Sequence, residues 1–283
     1  MKNLFRTLDD KSLDDKIKDS IKLLNNFNDI VVEVGFSGGK DSEVILELCK
    51  MARLNYRAMY KNTTIDPPGT IAHCLSKGVE IIKPKMTMFQ IIEKKGFPTR
   101  RARFCCEILK EYKILDTIVL GIRRSESIAR RKRYKEPIIC RNYKSKKNHV
   151  TQILPILNWT DENVEDFIKI RNIKCHKLYY NENGDFNVSK RLGCLGCPLK
   201  ADKGLQDFLE NPKFLKLWIR AGEKYWSSRS ENSNLKRKFN NIYEVFVHNI
   251  FFNSYQDFIN SRDGMFENID YKLFIENFFK IKL

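Results

Sequence analysis

The sequence predicts a doubly wound α/β fold, a mostly parallel sheet with helices on both faces, followed by a helical C-terminal extension. Three observations carry this. Short β-branched runs alternate with helical periodicity between Asp29 and Gly121, as strands joined by crossover helices do. The first of them, V-E-V-G-F-S-G-G-K-D-S from Val32 to Ser42, passes through glycines directly into a helical pattern. Beyond Lys200 the apolar spacing stays helical.

The elements follow in order. Apolar positions at helical spacing from Leu13 to Phe27 predict a leading helix, Asp29 to Phe36 a strand, and Asp41 to Leu54 a helix opened by the glycine turn. Arg57 to Lys61 reads as a second strand, followed by a helix after Pro67-Pro68. Val79 to Lys83 is a third short strand, with a helix from about Met86 to Lys95. Phe104 to Leu115 reads as helical and Thr117 to Gly121 as a fourth strand. The stretch from Arg123 to Lys147 has little periodicity. I-L-P-I-L then leads into a helix that Thr160 can cap, with Asp161 and Glu162 favourably placed in its first turn. Nine of the nineteen phenylalanines fall between Phe239 and Phe279, which predicts a packed helical cap in preference to a partner-binding face.

No apolar run approaches the length of a membrane span. The opening M-K-N-L-F-R-T-L-D-D-K lacks the apolar core of a signal peptide, so a cytoplasmic location without membrane contact is the expectation. The net charge of +17 points to a polyanionic partner, nucleic acid before membrane. Eleven basic and two acidic residues between Arg123 and Lys147 supply about half of that surplus. The alternative is a solvated basic loop. Eight cysteines without a secretory signal suggest metal or redox chemistry before disulfides. Cys105 and Cys106 are adjacent, and Cys194 and Cys197 form a C-x-x-C in the turn-rich R-L-G-C-L-G-C-P.

The glycine turn fails as a Walker loop. Asp41 follows Gly39-Lys40 where Ser or Thr is required, and Val34 stands five residues before Gly39. It still suits a phosphate. Gly38 and Gly39 allow close backbone approach, and the helix behind them aims N–H groups at an anion. Ser37 and Ser42 add hydroxyls, and Lys40 a counter-charge. S-G-G-K-D-S between a strand and a helix resembles the loop of the PP-loop ATP pyrophosphatases. These enzymes have an adenine nucleotide α-hydrolase-like fold and split ATP between its α and β phosphates.

R-F-C-C-E-I-L-K (Arg103 to Lys110), G-I-R-R-S-E-S-I-A-R (Gly121 to Arg130) and R-L-G-C-L-G-C-P (Arg191 to Pro198) extend the likeness to the phosphoadenylyl-sulfate reductase family, over about Val31 to Lys200. The resemblance implies ATP with Mg²⁺ as cofactors. Ser37, Gly38, Gly39, Lys40, Asp41, Ser42, Arg123 and Arg130 would hold the nucleotide, and Lys40, Asp41, Ser42, Arg123 and Arg124 would take part in catalysis. It also implies a [4Fe–4S] cluster on Cys105, Cys106, Cys194 and Cys197. Four thiolates are what a cubane needs, and Arg100, Arg101 and Arg103 would lower their pKa values. A Cys₄ zinc site is the rival, although adjacent cysteines are awkward ligands for one small ion. Residues 1–28 are then an N-terminal helix, 29–200 a nucleotide-binding domain carrying the cluster cysteines, and 201–283 a helical region.

Reductases of this family use a nucleophilic cysteine near the C-terminus, whereas the last cysteine here is Cys197. The expectation is therefore an AMP- and pyrophosphate-forming enzyme that adenylates a nucleic-acid oxygen for replacement by sulfur, with a cysteine desulfurase as partner. The resemblance runs to the Dnd and Ssp proteins of DNA phosphorothioation and antiviral defence, which favours DNA over tRNA and allows further modification-system subunits as partners. The alternatives are a (phospho)adenylyl-sulfate reductase-like enzyme and a tRNA thiolation enzyme. Residues Arg131 to Lys147 would tether the polyanion. Cys49 and Cys74 are expected in the core. For Cys140 and Cys175 packing is preferred over a persulfide relay, and His73, His149, His176 and His248 show no metal-ligand spacing.

Overall fold

The computed structural model describes residues 11–146, 148–263 and 269–283. The expectations for residues 1–10, Lys147 and Phe266 lie outside the described residues. The strands are β1 (Val32–Gly35), β2 (Tyr56–Lys61), β3 (Glu80–Ile82), β4 (Thr117–Val119), β5 (Ile138–Arg141) and β6 (Val150–Ile153). The α-helices are α1 (Leu13–Asn25), α2 (Lys40–Met51), α3 (Thr70–Ser76), α4 (Met88–Lys95), α5 (Phe104–Leu109), α6 (Ile128–Arg133), α7 (Asp161–Ile170), α8 (Leu205–Glu210), α9 (Pro212–Ser227), α10 (Asn234–Lys238), α11 (Ile242–Phe251), α12 (Tyr255–Asp263) and α13 (Tyr271–Phe279). Two compact units contain them. The first comprises Met1–Asn62, Pro67–Lys83 and Lys110–Gly193; the second comprises Thr63–Asp66, Pro84–Leu109 and Cys194–Leu283.

The first unit is the α/β sheet. Its strand order is β3-β2-β1-β4-β6-β5, all parallel except β5, which runs antiparallel to β6. Central strands buried on both faces explain the continuous β-branched run of β1: Val32 and Val34 are fully buried. Glu33 between them is buried too, and its carboxylate accepts from the Leu115 amide at 3.0 Å and faces the Lys61 ammonium at 3.2 Å. Helix α2 covers the sheet with Val44, Ile45, Leu48 and Cys49, all fully buried. Cys74 joins them in the core, as expected of both cysteines.

The sequence of strands reverses direction between β1 and β4. In open parallel sheets the crevice beyond the carboxyl ends of two such strands is where ligands bind. Here those ends lead into Phe36–Gly39 and Leu120–Arg123.

Three local expectations needed correction. β5 and β6 were not foreseen: I-I-C-R is embedded in the basic stretch, and the run before Leu154 merges with the next apolar residues. The stretch 123–146 is thus structured, with a 3₁₀ turn at Arg124–Glu126, then α6 and β5. The predicted helix Phe104 to Leu115 stops at Leu109, where the chain turns through Lys113 at φ 48° and re-enters the sheet. The cap of α7 is as predicted, with Thr160 accepting from the Asn163 amide.

The second unit is helical, with α4 packed on α9. Phe97 lies flat on Trp218 with ring centroids 6.2 Å apart. Gly222 makes room for it, since a Cβ there would stand 2.3 Å from the Phe97 ring. Phe239, Phe246, Phe258 and Phe279 are buried in this aromatic core, whereas Phe274 and Phe278 remain 37% and 41% exposed. Among the described residues no helix is long and apolar enough to cross a membrane.

Candidate functional site

The loop after β1 is built to meet an anion. Gly38 sits at φ +75°, a left-handed conformation costly for residues with a Cβ. A Cβ there would also press on Leu192 at 3.0 Å. Gly39 is the N-cap of α2 and offers no side-chain bond to the helix amides. These N–H groups carry the partial positive charge of the helix N-terminus. The Ser42 hydroxyl donates to the Gly39 carbonyl at 2.7 Å and lies 3.3 Å from the Ser37 hydroxyl, so both serines brace the turn. Lys40 is buried, with its ammonium 3.5 Å from the Asp41 carboxylate.

Tyr179 was not foreseen as part of this loop. Its hydroxyl accepts from the Lys40 amide at 3.1 Å and from the Leu192 amide at 3.2 Å, which ties the loop to residues near 190. Burial pushes its phenol pKa up, against the two amides that favour the phenolate. No local motif reveals a tyrosine 139 residues from its partner.

The strand-β4 side arrives in contact with the loop. An added Cβ at Gly121 would lie 2.8 Å from the Asp41 carbonyl oxygen and 2.9 Å from its carbon, so only glycine admits this approach. Arg123 follows and is 1% exposed. Its Nε donates to Asp41 at 2.7 Å and its Nη2 to Asp161 at 2.7 Å, while Nη1 reaches the Ser125 hydroxyl at 3.0 Å. This differs from the expected contact with a triphosphate. The guanidinium is engaged by two carboxylates and locks the start of α2 to the start of α7. Arg124 is engaged as well, donating to the Tyr134 carbonyl at 2.9 Å and to Asn158 at 2.7 Å. Arg130 pairs with Glu126, which also faces Arg191 at 3.6 Å. Burial and then the Arg191 charge lower the Arg130 pKa.

In the second unit the four predicted ligand cysteines come together. None of the chain's eight cysteines is in a disulfide. Cys105 donates a hydrogen bond to Cys106, and this, burial, and the charges of Cys106, Cys194 and Cys197 all push its pKa up. For Cys105 that corrects the expectation of a thiol acidified by the upstream arginines. Arg103 does approach Cys106, at 3.9 Å. Arg100, however, is turned to carbonyl oxygens of Pro198 (3.0 Å), Lys200 (2.9 Å) and Ala201 (3.3 Å). It clamps the C-x-x-C turn instead of neutralising a thiolate.

Asp207 is a second clamp that the sequence did not disclose. It accepts from the Gly196 amide at 2.8 Å and from the Lys200 ammonium at 2.6 and 2.7 Å. Cys194 lies 3.8 Å from the Asp66 carboxylate. Among the described residues no three His, Cys, Asp or Glu side chains are grouped as a site for a single metal ion.

The remaining cysteines divide by exposure. Cys140 is exposed on β5. Burial pushes the thiols of Cys49 and Cys175 up to about 12. At pH 8 only about one part in ten thousand of such a thiol is ionised. Brief alkylation of the native protein at pH 8 should therefore label Cys140 and leave Cys49 and Cys175 intact by peptide mapping. Labelling of Cys175 at the rate of Cys140 would instead reveal an accessible relay thiol. His73 lies against buried Glu43, which Lys77 also faces at 3.1 Å. His176 packs edge-on against His73.

Arg131, Lys132, Arg133 and Lys135 are all exposed on α6 and the turn after it. They have no acidic partner among the described residues.

A protein of Escherichia phage 186, "Uncharacterized 37.8 kDa protein in gpa 5'region", is 30% identical over 145 residues, 44% of this chain and 39% of that one. The match thus spans about two-fifths of the relative's length. Three solved structures are similar at low identity. Candida glabrata FMN adenylyltransferase, in complex with FMN and an ATP analogue, has TM-score 0.42 and 16% identity, covering 61% of this chain and 62% of that one. The U34-tRNA thiolase NcsA of Methanococcus maripaludis, with its [4Fe-4S] cluster, has TM-score 0.38 and 16% identity, covering 75% and 78%. The NH3-dependent NAD synthetase of Campylobacter jejuni has TM-score 0.41 and 17% identity, covering 76% and 93%. Residues 31–200 match the phosphoadenosine phosphosulfate reductase domain, and the chain belongs to that family.

Proposed function

We propose that this chain is an ATP pyrophosphatase and sulfur-transfer enzyme that adenylates an oxygen of nucleic acid, a DNA backbone phosphate first, in the manner of the Dnd and Ssp proteins. The observation that carries the nucleic-acid reading is the unpaired run of exposed cations Arg131, Lys132, Arg133 and Lys135 in the same unit as the glycine loop. ATP would lie with its β and γ phosphates against the loop Ser37–Ser42 and the N-terminus of α2, where the Lys40 amide is already given to Tyr179. The nucleic-acid oxygen attacks the α-phosphorus and pyrophosphate leaves. The terminal sulfur of a persulfide delivered by a cysteine desulfurase then attacks the activated phosphorus, AMP departs with the oxygen, and a thiol reductant cleaves the remaining S–S bond to leave the phosphorothioate.

Several residues act through others in this scheme. Asp41 is held by Arg123, so it positions the loop and is not a ready ligand for Mg²⁺. The ion would arrive on the phosphates and keep its waters. Cys105, Cys106, Cys194 and Cys197 would hold a [4Fe–4S] cluster. The likeness of Arg103 to Lys110 and of Arg191 to Pro198 to the reductase family supports this reading, and four thiolates are what a cubane needs. Bound there, such a cluster supplies iron and sulfide that can receive incoming sulfur.

The test is pyrophosphate release from ATP with DNA, tRNA or adenylyl sulfate added in turn. Release raised by DNA and lost in Lys40→Ala is the expected result. Stimulation by tRNA alone would move the target to a base, and adenylyl-sulfate binding without any release would return the chain to reductase chemistry. The cations have their own signature. Reversing Arg131, Lys132 and Arg133 to Glu should weaken DNA binding at every sequence and reduce the slope of log affinity against log salt by about 0.9 per lost phosphate contact. An unchanged slope would remove these residues from the interface.

A further inference from the structure

The second unit contains a cavity of about 660 Å³ that takes no part in the chemistry above. Its volume is in the range of small-molecule sites, about 300–1,000 Å³. Aromatic side chains form its walls, among them Phe97, Trp218, Phe246, Phe252 and Tyr255. Phe252 and Tyr255 are only half-buried, so part of the wall is open to an entering ring. Gly196 and Pro198, on either side of Cys197, also line it.

The polar lining is one-sided. It includes Arg100, Arg101 and Lys203 and contains no carboxylate. Arg100 is engaged by the carbonyls of the C-x-x-C turn, and Lys203 donates to the Phe252 carbonyl. Arg101 is different: it is exposed and has no hydrogen-bond or ion-pair partner among the described residues. Asn249 and Asn253 add amide donors and acceptors, and burial lowers the pKa of His248 there.

A purely apolar ligand would leave Arg101 without purpose, and a small inorganic anion would leave the aromatic walls uncovered. We infer that this cavity receives one unpaired nucleotide of a nucleic-acid strand, its base against the aromatic walls and its phosphate at Arg101. Both halves follow general chemistry. Bases stack on aromatic side chains whatever their sequence, and guanidinium groups match phosphate in shape and charge. The shared chemistry is a base bearing a phosphate. A strand is favoured over a free nucleotide by the nucleic-acid reading of the first unit, on which that choice rests. The cavity would then hold the strand beside Cys197.

The experiment measures fluorescence anisotropy of a labelled single-stranded oligothymidylate on the full chain, without ATP. Arg101→Glu removes the phosphate contact, and Asn253→Trp, at an exposed position of the lining, fills the mouth. Each should weaken binding by about tenfold, with an unchanged melting temperature. Arg101→Glu should also flatten the salt dependence by about one contact. Wild-type affinity in Asn253→Trp would overturn the inference, even if Arg101→Glu binds weakly, because charge alone would then explain the loss. Thymidine monophosphate competing as well as the strand would overturn the strand as the source. The two readings fail separately. Pyrophosphate release that ignores DNA would sink the proposed reaction, whereas cavity variants that bind like wild type would sink this site alone.

Discussion

Gly121→Ala is expected to reduce DNA-stimulated pyrophosphate release by about a hundredfold or more, the loss typical of a 1 Å displacement in a catalytic site. The new Cβ would stand 2.8 Å from the Asp41 carbonyl oxygen and 2.9 Å from its carbon. Both are backbone atoms, so no rotamer change can relieve the clash. Either the exit of β4 or the first turn of α2 must shift, and the first turn of α2 is where the proposed phosphate site lies. The same junction is closed by Arg123 between Asp41 and Asp161. Arg123→Lys retains the charge but cannot span both carboxylates, and should lose a similar factor. Arg123→Ala leaves Asp41 without its buried partner and should cost about 3–5 kcal/mol of stability as well. Steady-state kinetics with parallel thermal melts check all three. Wild-type kcat/KM in Gly121→Ala would show that the two arms of the crevice need not touch for activity.

If Cys105, Cys106, Cys194 and Cys197 hold the proposed cluster, Asp207→Ala is expected to lose most of it. Asp207 holds the Gly196 amide and the Lys200 ammonium, and its loss leaves a buried donor unsatisfied, at about 1–3 kcal/mol. The C-x-x-C turn would then keep only Arg100, the Leu195–Ile65 backbone bond at 2.8 Å and the Cys194–Asp66 contact. Iron and sulfide per chain, measured after anaerobic purification, should fall to below about half of the wild-type content, since supporting-shell losses commonly cost 10- to 100-fold in metal affinity. Asp207→Asn can still accept from the Gly196 amide and should retain more. Cys194→Ser sets the lower bound by removing a ligand. Full iron content in Asp207→Ala would show that the cysteines hold their geometry without this clamp, and zinc in place of iron in the wild type would replace the cluster altogether.

The glycine loop was legible because its physics is local. A β-branched strand, two glycines and a helix N-terminus together produce a turn of close backbone approach in front of a helix N-terminus. The spacing of Cys105-Cys106 and Cys194-x-x-Cys197 stood out in the sequence, and the fold places all four in one unit. Strands β5 and β6 were not, because four residues inside a basic stretch carry too little periodicity to stand out. β5 exists by pairing with β6, from Ile138 with Ile153 to Arg141 with Val150, and pairing is a property of two segments together.

The roles of the charged residues show the same division. Arg123, Arg100 and Asp41 are each plausible contacts for phosphate or thiolate when read one at a time. The fold brings Arg123 within 2.7 Å of carboxylates 82 and 38 residues away, and sets Arg100 on carbonyls about 100 residues ahead. A buried charge must be matched by whatever opposite charge or dipole the fold delivers. Sequence by itself determined the strand–glycine–helix turn and the α/β class, because backbone conformation and periodicity are short-range. Only the tertiary structure decided which cations are engaged internally and which, such as Arg101 and Arg131–Arg133, are left facing solvent, because that depends on partners distant in the chain.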